Sequence, residues 1–583
     1  MKYKNIAEGR FLTRPNRFIA YVEINGKIEK VHVKNTGRCK ELLTGHAVVY
    51  LEKSDNRERS TAYDLVAVEK GSRMINMDSA APNRAVHEWI LQKKLFADLK
   101  NVYPEKVYKN SRFDFYIETD NEKIFLEVKG VTLEKDNAVY FPDAPSERAV
   151  KHVEELMDAV KEGYGAYIIL VVQMKDVDFF APNAETHPAF AEVLLKAREA
   201  GVKILAYDCN VTPDSIEIAD RVPVVLSKLD VIERPLLAWY DSGRRILPWR
   251  ENPTPYYVWL SEIMLQQTRV EAVKPYFDRF IEAVPDVESL AYLEEDRLVK
   301  LWEGLGYYNR VRNLQKAAKI IMEQYGGVIP SEYKSLLSLP GIGSYTAGAI
   351  ASIAYGKAVP AVDGNVLRVL SRLRMDGEDI LSQKTKSRVE KELYAVIPKD
   401  RPGDFNQALM ELGAMVCVPG GVPKCAECPW NGFCEAYLQD RISEFPKKKS
   451  KKERNVEEKT VLVIRDEDRA AFEKRPGKGL LSGMYGFPML EGYRSEEEVI
   501  AFLKNMGLKV IRIQHIGEAK HIFSHKEWHM KGYAVRVDEL EMPVEGILGT
   551  DWIFIDKAEA RERYPIPSAY AAYAKYLDIK LGI

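Results

Sequence analysis

The chain has 583 residues, a length that corresponds to about four domains. Hydrophobic residues make up 46% and charged residues 29%, which excludes collagen-like, low-complexity and wholly disordered proteins. Lysine and arginine (85) balance aspartate and glutamate (86), so any basic surface must be local. Six cysteines are too few for a secreted disulfide scaffold, no secretory signal is visible, and the longest apolar run is too short to span a bilayer. We expect a cytoplasmic protein.

Two patterns precede residue 229. Residues 1–77 contain short alternating runs separated by glycine and asparagine, which predict a small antiparallel β domain. Residues 78–228 alternate between helical periodicity, as in Arg84–Leu99 and Glu147–Gly163, and apolar strands, which predicts a mixed α/β domain. The predicted strands are FDFYIET, KIFLEVKG and AYIILVVQM.

The α/β domain contains a pattern typical of metal-dependent nucleases. Asp114 is followed after twelve residues by Glu127-Val128-Lys129, that is, D-x12-E-x-K. Adjacent strands would bring Asp114 and Glu127 together as Mg²⁺ ligands, with Lys129 near the attacking water. Glu88, on the preceding helix, could add a further carboxylate. The alternative is a strand pair with a chance E-x-K, and the residues alone leave it open.

Four motifs of this half resemble the sugar fermentation stimulation protein (SfsA) family. They are HVKNTGRCKELL, SRFDFYI, FLEVKGVTL and FPDAPSERAVKH. The resemblance implies an OB-like β domain joined to a restriction-endonuclease-like α/β domain in a DNA-binding protein. It also strengthens the nuclease hypothesis for the D-x12-E-x-K pattern.

Residues 229–445 have the periodicity of amphipathic helices almost throughout. Ser335–Gly356 predicts a helix, a tight turn and a second helix, with Gly341 and Gly343 permitting close backbone approach in the turn. The second helix begins at about Ser344, and its free N–H groups suit a DNA phosphate. An ordinary αα-hairpin has the same pattern.

Two carboxylates in this region are candidates for chemistry. Asp363 directly precedes the helix NVLRVLSRL, where aspartate predicts an N-cap. The same carboxylate could face a developing cation, and the two roles are compatible. Glu262 lies in the apolar helix PYYVWLSEIML, although most helical glutamates are solvated.

Four cysteines with the spacing C-x7-C-x2-C-x5-C predict a metal centre: Cys417, Cys425, Cys428 and Cys434. Structural zinc usually uses two C-x2-C pairs, and this chain has one, so the spacing favours an iron–sulfur cluster over zinc. The other two cysteines, Cys39 and Cys209, are expected in the core.

Five motifs in this order resemble the A/G-specific adenine DNA glycosylase (MutY) family of the helix–hairpin–helix superfamily. They are WLSEIMLQQT, GLGYYNR, LPGIGSYTAGAI, AVDGNVLRV and the cysteine cluster. The resemblance implies a 4Fe–4S centre on the four cysteines. The first cysteine gap is seven residues where the family leads us to expect six. The loop Val418–Lys424 has two glycines and two prolines, which can absorb the extra residue.

The resemblance also implies the chemistry. The enzyme would flip adenine mispaired with 8-oxoguanine or guanine out of the duplex. Glu262 would protonate the adenine ring, and Asp363, supported by Asn365, would stabilise the oxocarbenium-like sugar. Burial of Glu262 would raise its pKa for this task. Tyr345 stands where bifunctional relatives have a lysine, so we expect a monofunctional enzyme.

The same family supplies expectations for DNA contacts. Residues that match wedge, pocket and hairpin positions are Arg250, Gln267, Leu305, Tyr307, Gly341 and Gly343. The partner is expected to be double-stranded DNA with A:8-oxoguanine or A:G mispairs, bound by a monomer.

The C-terminal part begins with a basic linker, residues 446–455. Within residues 456–583, the segment Arg469–Gly492 (RAAFEKRPGKGLLSGMYGFPMLEG) resembles the Nudix-like domain of the same family. The helix SEEEVIAFL that follows lacks the glutamate array that holds Mg²⁺ in Nudix hydrolases. This domain should therefore bind rather than hydrolyse. The resemblance assigns recognition of 8-oxoguanine to Phe523, Ser524 and His525.

The sequence thus predicts a multidomain α+β repair enzyme: OB-like (1–77), nuclease-like (78–228), helix–hairpin–helix (229–445) and Nudix-like (456–583). The alternative is a DNA-binding regulator of SfsA type with an inactive glycosylase half, against which the presence of both Glu262 and Asp363 argues. A bifunctional glycosylase-lyase is disfavoured by Tyr345.

Overall fold

The computed structural model describes residues 1–35, 37–56, 58–449, 454–477, 479–523, 525–538 and 552–577. The chain divides into two compact units, one of Met1–Pro235 with Lys391–Val396 and one of the remaining residues. In these described ranges, no helix is long and apolar enough to cross a membrane.

The first domain is a closed, OB-like sheet. Its strands pair in the order β3-β2-β1-β4-β5-β6, and β3 also pairs with β5, which closes the sheet. That closing pair, His32 with Asp64 and Val33 with Leu65, is parallel, so the expectation of a purely antiparallel domain was wrong in this detail. The strands are β1 (Ile6–Asn16), β2 (Ile19–Ile24), β3 (Lys27–Val33), β4 (Val48–Lys53), β5 (Tyr63–Lys70) and β6 (Arg73–Asn76).

The second domain is a mixed sheet with the order β15-β14-β12-β9-β8-β7, and β10, β11 and β13 form a small separate sheet. Its elements are α1 (Ala81–Leu91), β7 (Leu99–Tyr108), β8 (Ser111–Thr119), β9 (Lys123–Val131), β10 (Leu133–Lys135), β11 (Ala138–Phe141), α2 (Glu147–Lys161), β12 (Gly165–Val172), β13 (Phe179–Pro182), α3 (Pro188–Ala200), β14 (Lys203–Thr212) and β15 (Ser215–Val222).

Strand β12 explains the long apolar run in the sequence. Ile168 and Leu170 belong to the core that includes residues of α2 and α3, whereas Ile169 and Val171 belong to the core that includes residues of α1. Successive side chains point to opposite faces of a sheet, so a strand covered on both faces is apolar at every position.

The predicted first helix is shorter than expected. It ends at Leu91, not near Leu99. Lys93 adopts a left-handed conformation (φ 58°), and its N–H bonds the carbonyl of Ile90 at 2.8 Å. The apolar residues that suggested a longer helix, such as Phe96, are instead buried in the connection to β7.

The third domain is helical, and an apolar core that includes Trp259, Phe277 and Trp302 packs its helices from α5 to α12. Its α-helices are α4 (Glu233–Gly243), α5 (Pro248–Glu251), α6 (Pro255–Leu265), α7 (Val270–Ala283), α8 (Val287–Tyr292), α9 (Glu295–Leu301), α10 (Asn309–Tyr325), α11 (Tyr333–Leu337), α12 (Ser344–Ala349), α13 (Gly364–Arg374), α14 (Gln383–Tyr394), α15 (Pro402–Met415) and α16 (Glu435–Leu438).

The predicted helix–turn–helix is present as α11 and α12. Gly341 has φ +80°, and a Cβ there would lie 2.8 Å from Cβ of Asn313, so glycine is required on both grounds. Helix α12 begins at Ser344 as predicted and continues as a π-helical turn, Ile350–Ala354.

The last domain is Nudix-like, with a sheet in the order β18-β17-β16-β21-β20; β19 pairs with β16 and β22 with β17. Near its end the described chain forms one α-helical turn, Ala571–Ala574, between two 3-10 turns. The elements are β16 (Asn455–Asp466), β17 (Arg469–Lys474), β18 (Tyr485–Gly486), β19 (Met489–Glu491), α17 (Glu496–Asn505), β20 (Val510–Ile522), β21 (Lys526–Val537), β22 (Trp552–Ile555), α18 (Lys557–Glu562) and α19 (Ala571–Ala574).

Candidate active sites

Glu262 lies on α6, a helix buried on almost all sides. Thr254 caps this helix by accepting a hydrogen bond from the N–H of Tyr257 at 3.2 Å. Because α6 carries apolar residues around its whole circumference, Glu262 is only 6% exposed. Burial raises its pKa to about 7, and the hydrogen bond that Tyr345 donates to Oε2 opposes this rise. The predicted upward shift of the pKa is therefore present.

Asp363 is the N-cap of α13, as predicted. Its Oδ1 accepts a hydrogen bond from the N–H of Val366 at 2.8 Å, and its Oδ2 accepts one from the side-chain amide of Asn365 at 2.7 Å. Burial raises the pKa of Asp363, while these hydrogen bonds favour the ionised form. The helix start thus fixes both carboxylate oxygens.

One cavity brings the two carboxylates together. It has a volume of about 880 Å³. Beside Glu262 and Asp363, its walls include Tyr345, Asn365 and Arg250, so the five residues predicted for chemistry and the adenine pocket line the same space.

Glu411 is a cavity residue that the sequence reasoning missed. It is 1% exposed, on α15. It accepts a hydrogen bond from the guanidinium of Arg250 and another from the N–H of Arg245 at 2.8 Å. Glu411 therefore fixes Arg250 in the cavity wall. Nothing in its spacing separates it from any other glutamate in an amphipathic helix.

A chain of hydrogen bonds runs from Asp363 to the cysteine loop. Arg368 donates to the side-chain oxygen of Asn365 at 2.9 Å and to the carbonyl oxygen of Cys417 at 2.9 Å. One helical turn further on, Arg372 lies 3.3 Å from the sulfur of Cys417. Helix α13 thereby carries the candidate catalytic carboxylate at one end and contacts the first cysteine at the other.

The four predicted cluster cysteines form no disulfide in the described part of the chain, and they lie close to one another. Burial, followed by the proximity of the other three cysteines, raises the pKa of Cys428 to about 12. Within the described part of the chain, no group of three or more His, Cys, Asp or Glu side chains is placed so that it could hold a metal ion. The fit to a cluster therefore rests on the donor chemistry: four neighbouring thiols and a guanidinium 3.3 Å from the sulfur of Cys417. Cys39 and Cys209 are buried, as expected.

The predicted DNA-contacting residues differ in exposure. Gln267 and Tyr307 are exposed, and both adopt left-handed backbone conformations, with φ of 60° and 49°. Leu305 is 6% exposed and packs in the helical core, so its contact with DNA stays a prediction. Gly341 and Gly343 are exposed at the hairpin turn.

A second cavity, of about 430 Å³, lies between the helical and the Nudix-like domains. Phe523 and His525 line it together with Tyr307, which brings these three predicted lesion-contacting residues to one place. Arg312 connects its two sides by donating to the carbonyl oxygen of Ser482 at 2.7 Å. Ser524 lies outside the described residues.

The N-terminal unit assembles the predicted carboxylate pair. Phe115 pairs with Leu126, which puts Asp114 and Glu127 at neighbouring positions of β8 and β9. Asp114 accepts the N–H of Val128 at 2.7 Å. Burial, and then the charge of Glu127, raise the pKa of Asp114 to about 6.

Glu127 has one oxygen engaged and one free. Its Oε1 accepts from Nζ of Lys129 and contacts Nδ1 of His152, both at 2.5 Å. Its Oε2 is buried without a hydrogen-bond partner. An orphaned buried carboxylate oxygen beside a second carboxylate fits a divalent cation.

Two residues at this site differ from expectation. Glu88 does not join the pair: its carboxylate is half-exposed and binds the Met1 ammonium at 2.7 Å. Asn83, five residues earlier on α1, occupies the expected place instead and donates to Asp114 at 2.7 Å. His152 was missed as a site residue, although it ends the motif FPDAPSERAVKH.

Two family profiles match the two N-terminal domains of the chain. The SfsA N-terminal OB domain profile matches residues 12–77, and the sugar fermentation stimulation protein RE domain profile matches residues 80–215. A sugar fermentation stimulation protein homolog of Clostridium beijerinckii is 59% identical over 226 residues, which are 39% of this chain and 100% of the relative. The chain belongs to the sugar fermentation stimulation protein family. A second relative, from Ruminiclostridium cellulolyticum, is 58% identical with the same coverage of both chains.

The C-terminal part of the chain matches two further family profiles. The profile of the HhH-GPD superfamily base excision DNA repair proteins matches residues 260–399, and that of the NUDIX domain matches residues 460–576. The C-terminal part therefore has a base excision DNA glycosylase fold followed by a Nudix-like domain. The predicted four-domain α+β fold is confirmed, while its boundaries at 77, 228, 445 and 455 stay predictions.

Two solved structures are similar to separate parts of the chain. The SfsA of Pyrococcus furiosus in complex with Ca²⁺ is 28% identical, with a TM-score of 0.36, and covers 39% of this chain and 98% of its own. A thermostable thymine-DNA glycosylase is 29% identical, with a TM-score of 0.34, and covers 36% of this chain and 97% of its own.

Proposed function

We propose that the C-terminal half is a monofunctional adenine DNA glycosylase, which releases adenine mispaired with 8-oxoguanine or guanine in double-stranded DNA. The observation that carries this proposal is the pair Glu262 and Asp363 in one 880 Å³ cavity. Glu262 has a pKa of about 7, so it holds a proton near neutral pH, whereas hydrogen bonds favour the ionised form of Asp363. The resemblance to the adenine glycosylases supplies the identity of the base.

The reaction follows from these two roles. The flipped adenine enters the cavity, and Glu262 transfers its proton to an imidazole-type ring nitrogen. The glycosidic bond breaks with its electron pair going to the base, which leaves as neutral adenine. Asp363 stabilises the positive charge on the sugar until water adds to the anomeric carbon. The water gives its proton to the Glu262 carboxylate, which restores the acid for the next turnover. The product is an abasic site.

Tyr345 determines where the reaction stops. Its phenol binds Glu262 and Sδ of Met410 inside the cavity. A phenol cannot form a Schiff base with the sugar, and no lysine lines the described walls of this cavity. The DNA backbone should therefore stay intact until it is cleaved by alkali.

Recognition of the partner base is proposed for the 430 Å³ cavity. His525 offers a ring nitrogen and Phe523 an aromatic face there. The family resemblance assigns the reading of 8-oxoguanine to Ser524 between them. Ser524→Ala should weaken the preference for A:8-oxoguanine over A:G several-fold, since one hydrogen bond is worth about 1 kcal/mol.

Cys417, Cys425, Cys428 and Cys434 are proposed to hold a 4Fe–4S cluster. Bound there, the cluster would supply a covalent cross-link that fixes the loop after α15. Arg372, 3.3 Å from the sulfur of Cys417, would stabilise the thiolate form of that ligand.

A second candidate function is metal-dependent DNA cleavage by the N-terminal unit. The specific observation is the buried, unpartnered Oε2 of Glu127 beside Asp114. A bound Mg²⁺ would polarise a phosphate and activate water. Lys129 holds the other Glu127 oxygen and would stay close to the attacking group.

One experiment separates these activities from each other and from a DNA-binding regulator without catalysis. The full chain is incubated with an A:8-oxoguanine duplex, with and without Mg²⁺, and each sample is divided into alkali-treated and untreated halves. Strand breaks at the adenine that need alkali and not Mg²⁺ support the glycosylase. Breaks elsewhere that need Mg²⁺ support the nuclease. Glu262→Gln and Glu127→Gln should each remove one class of break and leave the other.

Intact DNA under all conditions would contradict both activities and favour the regulator. Glu118→Gln is a control for the nuclease. Glu118 lies on the same strand as Asp114, but its carboxylate accepts a hydrogen bond from Asn101 at 3.0 Å.

A further inference from the structure

Arg310, at the start of α10, is a partly buried cation that has no carboxylate partner among the described residues. Burial lowers its pKa to about 10. A buried charge without an opposite charge needs hydrogen bonds to be tolerated. The guanidinium obtains them from backbone alone. Its acceptors are the carbonyl oxygens of Ile263, Met264 and Gln266 at 2.7, 3.2 and 2.6 Å, and of Leu305 and Gly306 at 3.0 and 3.1 Å.

These carbonyls belong to two places that are far apart in sequence: the last turn of α6 with the loop that follows it, and the loop before α10. The first loop leads into Gln267, and the second leads into Tyr307. Both residues adopt left-handed backbone conformations (φ 60° and 49°), which residues with side chains seldom do. The carbonyls of Gln266 and Gly306 belong to the peptide groups directly before them. One guanidinium thus fixes the peptide that precedes each left-handed residue.

The same side chain contacts the aromatic ring that projects from the second loop. Cζ of Arg310 lies 5.4 Å from the ring centre of Tyr307 and 5.5 Å from that of Trp302. Trp302 is buried in the core, whereas Tyr307 is 50% exposed. Arg310 therefore connects the exposed ring to the fixed core.

We infer that Arg310 is a positioning residue that holds both loops in the conformation in which Gln267 and Tyr307 enter the base stack beside the target. This inference rests on the proposed function, since it takes these two residues as the ones that enter the duplex. Arginine is required because its planar guanidinium carries two terminal nitrogens, of which Nη1 serves the first loop and Nη2 the second at the same time. A lysine ammonium is a point donor and would serve one.

The direct test measures unstacking without chemistry. In the Glu262→Gln background, a duplex with 2-aminopurine beside the A:8-oxoguanine pair reports unstacking as a rise in fluorescence at saturating protein. Arg310→Met and Arg310→Lys should each shift the unstacking equilibrium by about tenfold, the value of one hydrogen bond to a charged group. Lys319→Met, which removes an exposed cation from the opposite face of the same helix, should match the parent.

A double variant separates positioning from general stabilisation of the fold. Because Arg310 acts partly through Tyr307, the unstacking defect of Arg310→Met with Tyr307→Ala should be smaller than the sum of the two single defects. Additive defects, a full signal from Arg310→Lys, or parent-like signals from both Arg310 variants would overturn the inference. Should Arg310→Met fail to fold, the same comparison of single and double variants is made with Arg310→Lys, because this substitution keeps the charge and most of the volume of the side chain.

The chain with Glu262 intact allows an independent kinetic test of the role of Arg310. Under single turnover, Arg310→Lys should slow adenine release about tenfold in a fully paired duplex and several-fold less when mismatches flank the target, because unstacking then costs less. Equal losses on both duplexes would contradict a positioning role. If the chain with Glu262 intact releases no adenine at all, the proposed function fails, and the 2-aminopurine signal, which needs no excision, still decides the role of Arg310.

Discussion

Tyr345 donates its phenolic hydrogen to Oε2 of Glu262, inside the cavity that also contains Asp363. The phenol stabilises the carboxylate, so the pKa of Glu262, which burial raises to about 7, would be higher still without it. Tyr345 thereby keeps the proposed acid in a range where it can both hold and release a proton at neutral pH.

Tyr345→Phe should therefore raise the pH above which adenine release slows. It should also lower the single-turnover rate at neutral pH by about tenfold, the value of one hydrogen bond to a charged group, because the Glu262 carboxylate that forms on proton transfer loses this hydrogen bond. The measurement is a pH–rate profile at saturating enzyme. Tyr355→Phe is a matched control, since its hydroxyl bonds the carbonyl of Ile329 and Tyr355 does not line the cavity. An unchanged profile would mean that Tyr345 does not act on Glu262.

The pKa of Glu262 also sets the pH dependence of the parent chain. Glu262 acts in its protonated form, whose share falls tenfold for each pH unit above a pKa of about 7. Asp363 acts ionised, and its pKa, raised by burial, limits the rate on the acidic side. The single-turnover rate should thus decline above about pH 7. A rate that keeps rising to strongly alkaline pH would exclude Glu262 as the acid.

Glu262→Gln should make the protein more stable in alkaline solution. The folded pKa (about 7) exceeds the ordinary value (4.5), so the folded state loses stability as pH rises between these values. Above both, the buried charge costs roughly 3 kcal/mol, and the amide avoids this cost. The melting temperature of the variant should exceed that of the parent at about pH 8, with little difference at about pH 5. An equal difference at both pH values would show that ionisation is not its cause.

Local sequence was a good guide where the structure depends on neighbours in the chain. Asp363 caps α13 because the preference for aspartate is set by the next three residues. Glu262 could be predicted to be buried because α6 is apolar on all sides. The D-x12-E-x-K pattern was a good guide to Asp114 and Glu127 lying side by side, because the pairing of Phe115 with Leu126 fixes the register of the two strands.

Sequence was a poor guide where the partners are distant. Glu411 and Arg310 are recognisable only from what they contact, namely Arg250 and the backbone of two remote loops. The burial of Leu305 could not be predicted either, because a leucine in a loop gives no sign of whether it faces core or solvent. Helical periodicity placed Glu88 on the correct helix but not on the face that meets Asp114.

Arg368 should couple the rate of the reaction to the cysteine loop. It connects Asn365, the support of Asp363, to the backbone of Cys417, with both hydrogen bonds at 2.9 Å. Arg368→Met should lower the single-turnover rate about tenfold, since it leaves Asn365 free to turn away from Asp363. Because the four thiols remain, the broad visible absorption of the proposed cluster should persist.

Arg372→Met is the informative contrast. Arg372 contacts the sulfur of Cys417 and the carbonyl of Val418 but not Asn365, so its loss should reduce the visible absorption more than the rate per cluster. A colourless parent protein with stoichiometric zinc after anaerobic preparation would contradict the iron–sulfur assignment. A loss of absorption in Arg368→Met that matches its loss of rate would contradict the coupling.

The carboxylate pair of the N-terminal unit should bind a divalent cation even if cleavage is weak. Asp114 and Glu127 repel each other, which is one reason why the pKa of Asp114 is raised to about 6, and a cation removes this repulsion. A ligand at 100 times its Kd stabilises the folded state by about 2.7 kcal/mol, so Mg²⁺ or Mn²⁺ should raise the melting temperature of the full chain in the transition that involves this unit.

Glu127→Gln should remove the shift, because the amide keeps the shape but not the charge that holds the ion. Glu118→Gln, on the same sheet and bonded to Asn101, should retain it. A shift of equal size in all three proteins would place the cation elsewhere, and no shift in the parent would remove the metal site and, with it, the nuclease proposal.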